Sequence, residues 1–282
     1  MAHGGSPEWN DAVLEAVKPL RTRHDIEVAF GMAEAASLQE SVRRLEARNV
    51  RRIGVVRLFV SSESFVEQTE QILGLRPGAP ATPAPAVVPG ADPAISAGHG
   101  GHGSHGGHSM ALYRVATQSS FALSAHGLLD ADGMGAVLAD RAIALSKAPA
   151  REDVLILGHG PGDDAENARW LAKLDARAAV VRARAPFRRV EVETLREDWP
   201  DKRVAAQARI RAFVKRATDE GGRALVIPFR IQGFGPYAQV LEGLDYVADH
   251  KGLIPHAEVI RWIEREIEAL EAGPFRTVLP RG

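Results

Sequence analysis

The chain has 282 residues, 45% apolar and 25% charged, which is the make-up of a folded protein with room for one large or two ordinary domains. A formal net charge of -1 excludes a global basic field for nucleic acid or an anionic membrane, and no apolar run reaches the ~20 residues of a membrane span. The absence of cysteine excludes disulfides, thiolate metal sites and cysteine nucleophiles.

Met1-Ala-His3-Gly4 opens the chain on a His-Gly turn, and a helix is predicted from about Pro7 to Leu20, with Pro7 in the first turn, where its missing N–H costs nothing. His24–Phe30 alternates as a strand does. Ser37 with Glu40 three residues on forms a capping-box pattern, and a helix is expected from there to about Asn49. Arg52–Val60 reads as the next strand, and Ser61-Ser62 as the cap of a helix running to Leu75. Residues 76–109 break the pattern with a Pro/Ala-rich and then a Gly/His-rich run, expected to be a disordered insertion. Short extended pieces at Ala111–Val115 and Phe121–Leu123 and a helix over Gly133–Ser146 complete the first half.

The second half repeats the order. An apolar strand, Asp153–Leu157, stops at Gly158-His159-Gly160, and a helix follows from about Asp163 to Ala178. Strand Arg189–Leu195, helix Lys202–Thr218, strand Arg223–Phe229 and helix Pro255–Ala272 come next. Strands alternating with helices imply parallel sheets covered on both faces. The expected organisation is a duplicated α/β unit, one lobe over residues 1–150 and the other over 151–282. The second half has an apolar strand ahead of its turn and the first half does not. Either the first lobe lacks that strand, or the natural start lies upstream, and such an extension could carry a targeting signal. With no signal peptide visible, a cytoplasmic location is expected.

His159 and His3 are the leading candidate site residues. A turn at the C-terminal end of a parallel strand is where open α/β sheets place ligands, and neutral imidazole both binds borderline metals and accepts protons near neutral pH. The bland alternative is a histidine that only caps a helix. Asp163, Asp164 and Glu166 suit the positive end of the following helix. His126 and His256 are further candidates, each with an exposed turn as its bland reading. Arg182, Arg184, Arg188 and Arg189 either form a solvated face or meet an acidic ligand. His99, His102, His105 and His108 recur every third residue among glycines, a spacing that lets imidazoles converge on zinc, nickel, cobalt or iron. No Lys-Ser/Thr phosphate loop and no full Gly-x-Gly-x-x-Gly is present, so no organic cofactor is expected.

In order and duplication, Ala2-His3-Gly4, Ile26–Phe30, Arg52–Phe59, Ala139–Ile143, Leu157–Gly160, Ala224–Phe229 and Gly252–His256 resemble the class II tetrapyrrole chelatases, specifically the sirohydrochlorin cobaltochelatases and ferrochelatases of cobalamin and sirohaem biosynthesis. The resemblance implies two flavodoxin-like lobes around a tetrapyrrole cleft. It also implies insertion of cobalt or ferrous iron into sirohydrochlorin, with His159 as ligand and base and His3 as the alternative. Several members carry histidine-rich tracts, which fits His99–His108 as a metal store or delivery arm. The sequence departs from the family where a second histidine usually follows the third strand: Phe65 stands there in the first half, and Phe234-Gly-Pro-Tyr237 in the second. The alternative function is therefore a non-catalytic metal- or tetrapyrrole-binding protein on the same scaffold.

Overall fold

The computed structural model describes residues 1–82 and 112–280. The expected insertion over 76–109 lies outside the described residues except for 76–82, and His99, His102, His105 and His108 are all outside them. Among the described residues no helix is long and apolar enough to cross a membrane.

The second lobe is the more complete. Strands β3 (Glu152–Gly158), β4 (Arg189–Thr194), β5 (Arg223–Phe229) and β6 (Val247–Ala248) form a parallel sheet in the order β4-β3-β5-β6. β3 is buried on both faces, as a central parallel strand must be: Val154 and Ile156 point into one core, and Leu155 and Leu157 into another. Helix α6 (Pro200–Asp219) covers the second face with Ala206, Ile210, Phe213, Val214 and Ala217, spaced as one helical stripe. Helix α5 (Asp164–Arg184), capped by Asp163 Oδ1 accepting from the Glu166 N–H at 2.7 Å, covers the first face.

The first lobe repeats this plan in reduced form. Helices α1 (Pro7–Val17), α2 (Ala35–Ala47) and α3 (Val66–Ile72) surround β1 (Arg52–Val55), which pairs in parallel with β2 (Ser120–Leu123). The strand expected over His24–Phe30 does not form; only Phe30 makes a bridge, to Ala2. The physical reason is pairing. In the second lobe β4 lies against the full length of β3, whereas among the described residues the segment 24–30 has a single bridge, from Phe30 to Ala2. The expected cap also moves: α2 starts after Glu34, Ser37 lies inside the helix, and Glu40 pairs with Arg43 and Arg44.

Each half closes with a helix that packs on the other. Helix α4 (Gly133–Leu145) lies against α5 and β5, and α8 (Ala257–Ala272) against α1 and β1. One apolar core therefore runs from Ala2, Leu20 and Leu58 through Leu138 and Trp262 to Ile156 and Ile227. The short helix α7 (Tyr237–Val240) follows β5 in the second lobe, as α3 follows β1 in the first.

Candidate functional site

Both His-Gly turns adopt one conformation. Gly4 and Gly160 each have φ +79°, and the histidine before each places Nδ1 against the glycine carbonyl, at 2.7 Å for His3 and 2.8 Å for His159. Each turn follows a residue bridged in parallel on both sides: Ala2 to Phe30 and Leu58, and Gly158 to Thr194 and Phe229. The duplication read from the sequence thus extends to individual hydrogen bonds.

The two histidines differ in company. His3 is exposed, and its ring neighbour is Trp9, with centroids 6.5 Å apart. Among the described residues no carboxylate is recorded within ion-pair distance of it. Glu34, the nearby carboxylate of its lobe, folds back over Gly31 instead. His159 is half-buried, with Nε2 3.0 Å from Asp198 Oδ2 and 3.7 Å from Glu197 Oε2. The turn after β4 makes this possible. Arg196 takes a left-handed conformation, φ +58°, and the N–H groups of Arg196 and Glu197 both donate to the His159 carbonyl, at 2.7 and 3.4 Å. The turn between β3 and α5 is thereby tied to the turn between β4 and α6.

A carbonyl oxygen only accepts, so the His159 Nδ1 that faces Gly160 carries a proton. The other ring nitrogen, Nε2, then faces two carboxylates. A neutral ring would turn a lone pair towards negative charge, so the gap between Nε2 and the carboxylates favours a cation, whether a proton or a metal ion. Burial opposes the charged ring, but the hydrogen bond to Asp198, the charges of Glu197 and Asp198 and the Gly160 carbonyl outweigh it, and the His159 pKa is raised above the ordinary imidazole value.

Arg230 and Trp199, which sequence reasoning missed, and Tyr237, which it noted only within Phe234–Tyr237, complete the surroundings. Arg230, just past β5, places Nη1 2.5 Å from Glu197 Oε1 and lies over the ring of Tyr237. Tyr237 is fully buried, and burial, with the Glu197 charge added, pushes its phenol well above the ordinary value. Trp199 stands edge-on to His159 at 6.2 Å. Only the sheet register shows that the ends of β3, β4 and β5 meet here, so no local signal marked Arg230.

The remaining candidates have structural partners. His256 caps α8, accepting from the Glu258 N–H, and its Nε2 faces Asp140 at 3.1 Å. His126 pairs with Glu266. The arginine cluster is spent on carboxylates: Arg182 on Asp175, Arg184 on Asp140, Arg188 on Asp153 and Arg189 on Glu220. Asp164 holds Arg196 and Lys202, each at 2.8 Å. Among the described residues no group of three or more His, Asp or Glu side chains is arranged to hold a metal ion.

The turn itself is testable. A Cβ on Gly160 would fall 2.6 Å from Thr194 Cβ at a left-handed φ, whereas on Gly4 the nearest atom would be Phe30 Cβ at 3.2 Å. Gly160→Ala is expected to cost about 2–4 kcal/mol in urea unfolding, and Gly4→Ala about 1–2 kcal/mol. Equal costs would mean that Thr194 yields freely.

No family model and no curated protein sequence matches the chain. Among solved structures, SirB from Bacillus subtilis, determined with Fe3+, matches with a TM-score of 0.61 at 11% identity, over 96% of this chain and 93% of that one. A multi-domain protein from Deinococcus radiodurans, reported to have structural similarity to chelatases and two additional novel domains, matches with a TM-score of 0.50 at 18% identity, over 96% of this chain and 52% of that one. These likenesses show the fold: a chelatase-like α/β architecture built on parallel sheets.

Proposed function

We propose that the chain inserts a divalent metal ion, cobalt or ferrous iron, into a sirohydrochlorin-type tetrapyrrole, and that His159 in the second lobe is the working residue. The observation that carries this reading is the pairing of His159 Nε2 with Asp198 and Glu197 at the ends of β3 and β4. Insertion needs two things there: a donor that holds the incoming ion and then releases it, and acceptors for the two pyrrole protons that the metal replaces. The imidazole, with Nδ1–H committed to Gly160, offers Nε2 to the ion, and the ion takes the place of the proton shared with Asp198. After the metal passes to the four pyrrole nitrogens, His159 and its carboxylates receive the displaced protons. Arg230 holds Glu197 in place, and the carboxylates keep the site attractive to a cation.

The direct test is an absorbance assay of purified protein with sirohydrochlorin and cobalt or ferrous iron. Insertion well above the uncatalysed rate supports the reading. Metal or tetrapyrrole binding without acceleration would instead support a binding protein, a reading favoured by Phe65 and Phe234–Tyr237 standing where the resemblance places a second histidine.

A pH profile follows from the electrostatics. Metal competes with the proton on Nε2, so insertion should rise with pH through an inflection above the ordinary imidazole value of about 6.5. Asp198→Asn removes the largest contribution that holds the proton and leaves burial, which acts the other way. The inflection of that variant is therefore expected at lower pH than in the wild type, read from kcat/KM and from the His159 ring resonances. An unmoved inflection would remove Asp198 from the site.

A further inference from the structure

Among the described residues His159, Asp198 and Glu197 come together without forming a three-ligand metal site. The group out of place is Glu197. Asp198 Oδ2 lies 3.0 Å from His159 Nε2, whereas Glu197 Oε2 stands off at 3.7 Å. The other oxygen, Glu197 Oε1, is held by Arg230 Nη1 at 2.5 Å. A carboxylate offers the same lone pairs to a guanidinium and to a metal ion, and one already paired with a cation attracts a second one less.

Arg230 is fixed on that carboxylate by its surroundings. Its guanidinium lies over the ring of Tyr237, 5.6 Å from the centre, and Tyr237 is itself fully buried and packed edge-on against Phe234 at 5.5 Å. Gly235, with φ +62°, passes so close that a Cβ there would fall 2.8 Å from Arg230 Nε and Cζ. The backbone is anchored too, since the Leu253 N–H donates to the Arg230 carbonyl at 2.8 Å. The first lobe has no such arm. Arg230 follows Phe229, the partner of Gly158, and the matching residue of the first lobe is Phe59, which follows Leu58, the partner of Ala2. The arginine is thus found in the lobe whose histidine has carboxylates beside it.

We infer that Arg230 is a positioning residue that withholds Glu197 from the incoming ion and so keeps the ion's stay on His159 short. The inference rests on the reading of His159 as the metal donor. A passing site must release what it binds. A third ligand carrying negative charge would stabilise the bound ion before transfer, and that stabilisation adds to the barrier for release.

The test is cobalt(II) affinity without any tetrapyrrole, measured by calorimetry on the full chain. It is read as the binding that His159→Ala abolishes, so the Gly/His-rich tract does not contribute. Arg230→Met is expected to tighten this binding about tenfold or more, and Gly235→Ala, which displaces the guanidinium by crowding, to shift it the same way. Damage to the fold weakens binding, so a gain cannot arise from it. Glu197→Gln is expected to cost about tenfold more affinity in the Arg230→Met background than in the wild type. The inference is overturned if neither Arg230→Met nor Gly235→Ala tightens binding, or if no His159-dependent binding exists in any variant. It is also overturned if the gain in Arg230→Met survives Glu197→Gln, which would make Arg230 a repelling charge and nothing more. Insertion is read separately, and Arg230→Met should lower kcat together with the KM for the metal. Coupled affinities in a protein that inserts no metal would leave the role of Arg230 standing and remove the chelatase reading.

Discussion

His159→Ala is expected to lower cobalt or ferrous iron insertion by about two orders of magnitude or more, while His3→Ala stays within roughly threefold of the wild type. The two residues share one turn geometry, so any difference must come from what surrounds them. His159 has two carboxylates within 4 Å, held by a left-handed turn at Arg196 and by Arg230. His3 is exposed, and the carboxylate of its lobe, Glu34, is turned onto Gly31. The loop from Phe30 to the start of α2 is also one residue shorter than the loop from Thr194 to the start of α6, which removes one of the two adjacent acidic positions. His159 sits on a half-exposed turn, so its alanine variant should unfold within about 1 kcal/mol of the wild type, and the lost activity would not reflect lost fold. Equal losses in the two variants, or a loss confined to His3→Ala, would move the site to the first lobe or to no lobe.

The second lobe was legible because its signals are local. The run Val154–Leu157 stops at a glycine, and the apolar residues of α6 repeat at helical spacing, so each element declares itself within a short window. Glu197 and Asp198 lie just beyond the next strand in the sequence, and the sheet register carries them to His159. The first lobe was harder to read for a physical reason. His24–Phe30 has the alternation of a strand, but a strand is defined by its neighbours, and among the described residues its one bridge is from Phe30 to Ala2. Side-chain pairing was equally invisible. The separate fates of His256 and the four arginines depend on Asp140, Asp153, Asp175 and Glu220, which come from different elements. Charge pattern alone cannot distinguish an arginine that awaits a ligand from one already paired.

Arg57→Ala is expected to cost about 3–5 kcal/mol in urea unfolding, a large loss for a charged residue, because Arg57 is only 2% exposed and among the described residues no carboxylate touches it. Its guanidinium donates instead to backbone carbonyls: Nε to Ser124 at 3.0 Å, Nη1 to Ser64 at 2.9 Å, and Nη2 to Ser62 and Ser124, each at 2.9 Å. Burial lowers its pKa below the ordinary value against the opposing charges of Glu266 and Glu70, yet the group stays charged at neutral pH. Truncation would strand three carbonyls and open a cavity between β1 and the loop that follows it. Arg57→Lys should recover only part of the loss, since one ammonium cannot span carbonyls on both sides of the loop. A cost below about 1 kcal/mol would show that water replaces the guanidinium freely. The same network bears on function. The carbonyls that Arg57 binds hold residues 62–64 in place, and Phe65 follows at φ +56°, packed on Phe59 at 5.3 Å. In the second lobe the register puts Pro228 opposite Leu157, where the first lobe has Arg57 opposite Met1, and the chain beyond it supplies Arg230 to Glu197. The segment after β1 is thus a structural clamp in the first lobe, and the segment after β5 a support for an ionisable cluster in the second. On this argument Arg57→Ala weakens the first lobe while leaving the His159 pH profile unmoved at temperatures where the protein remains folded.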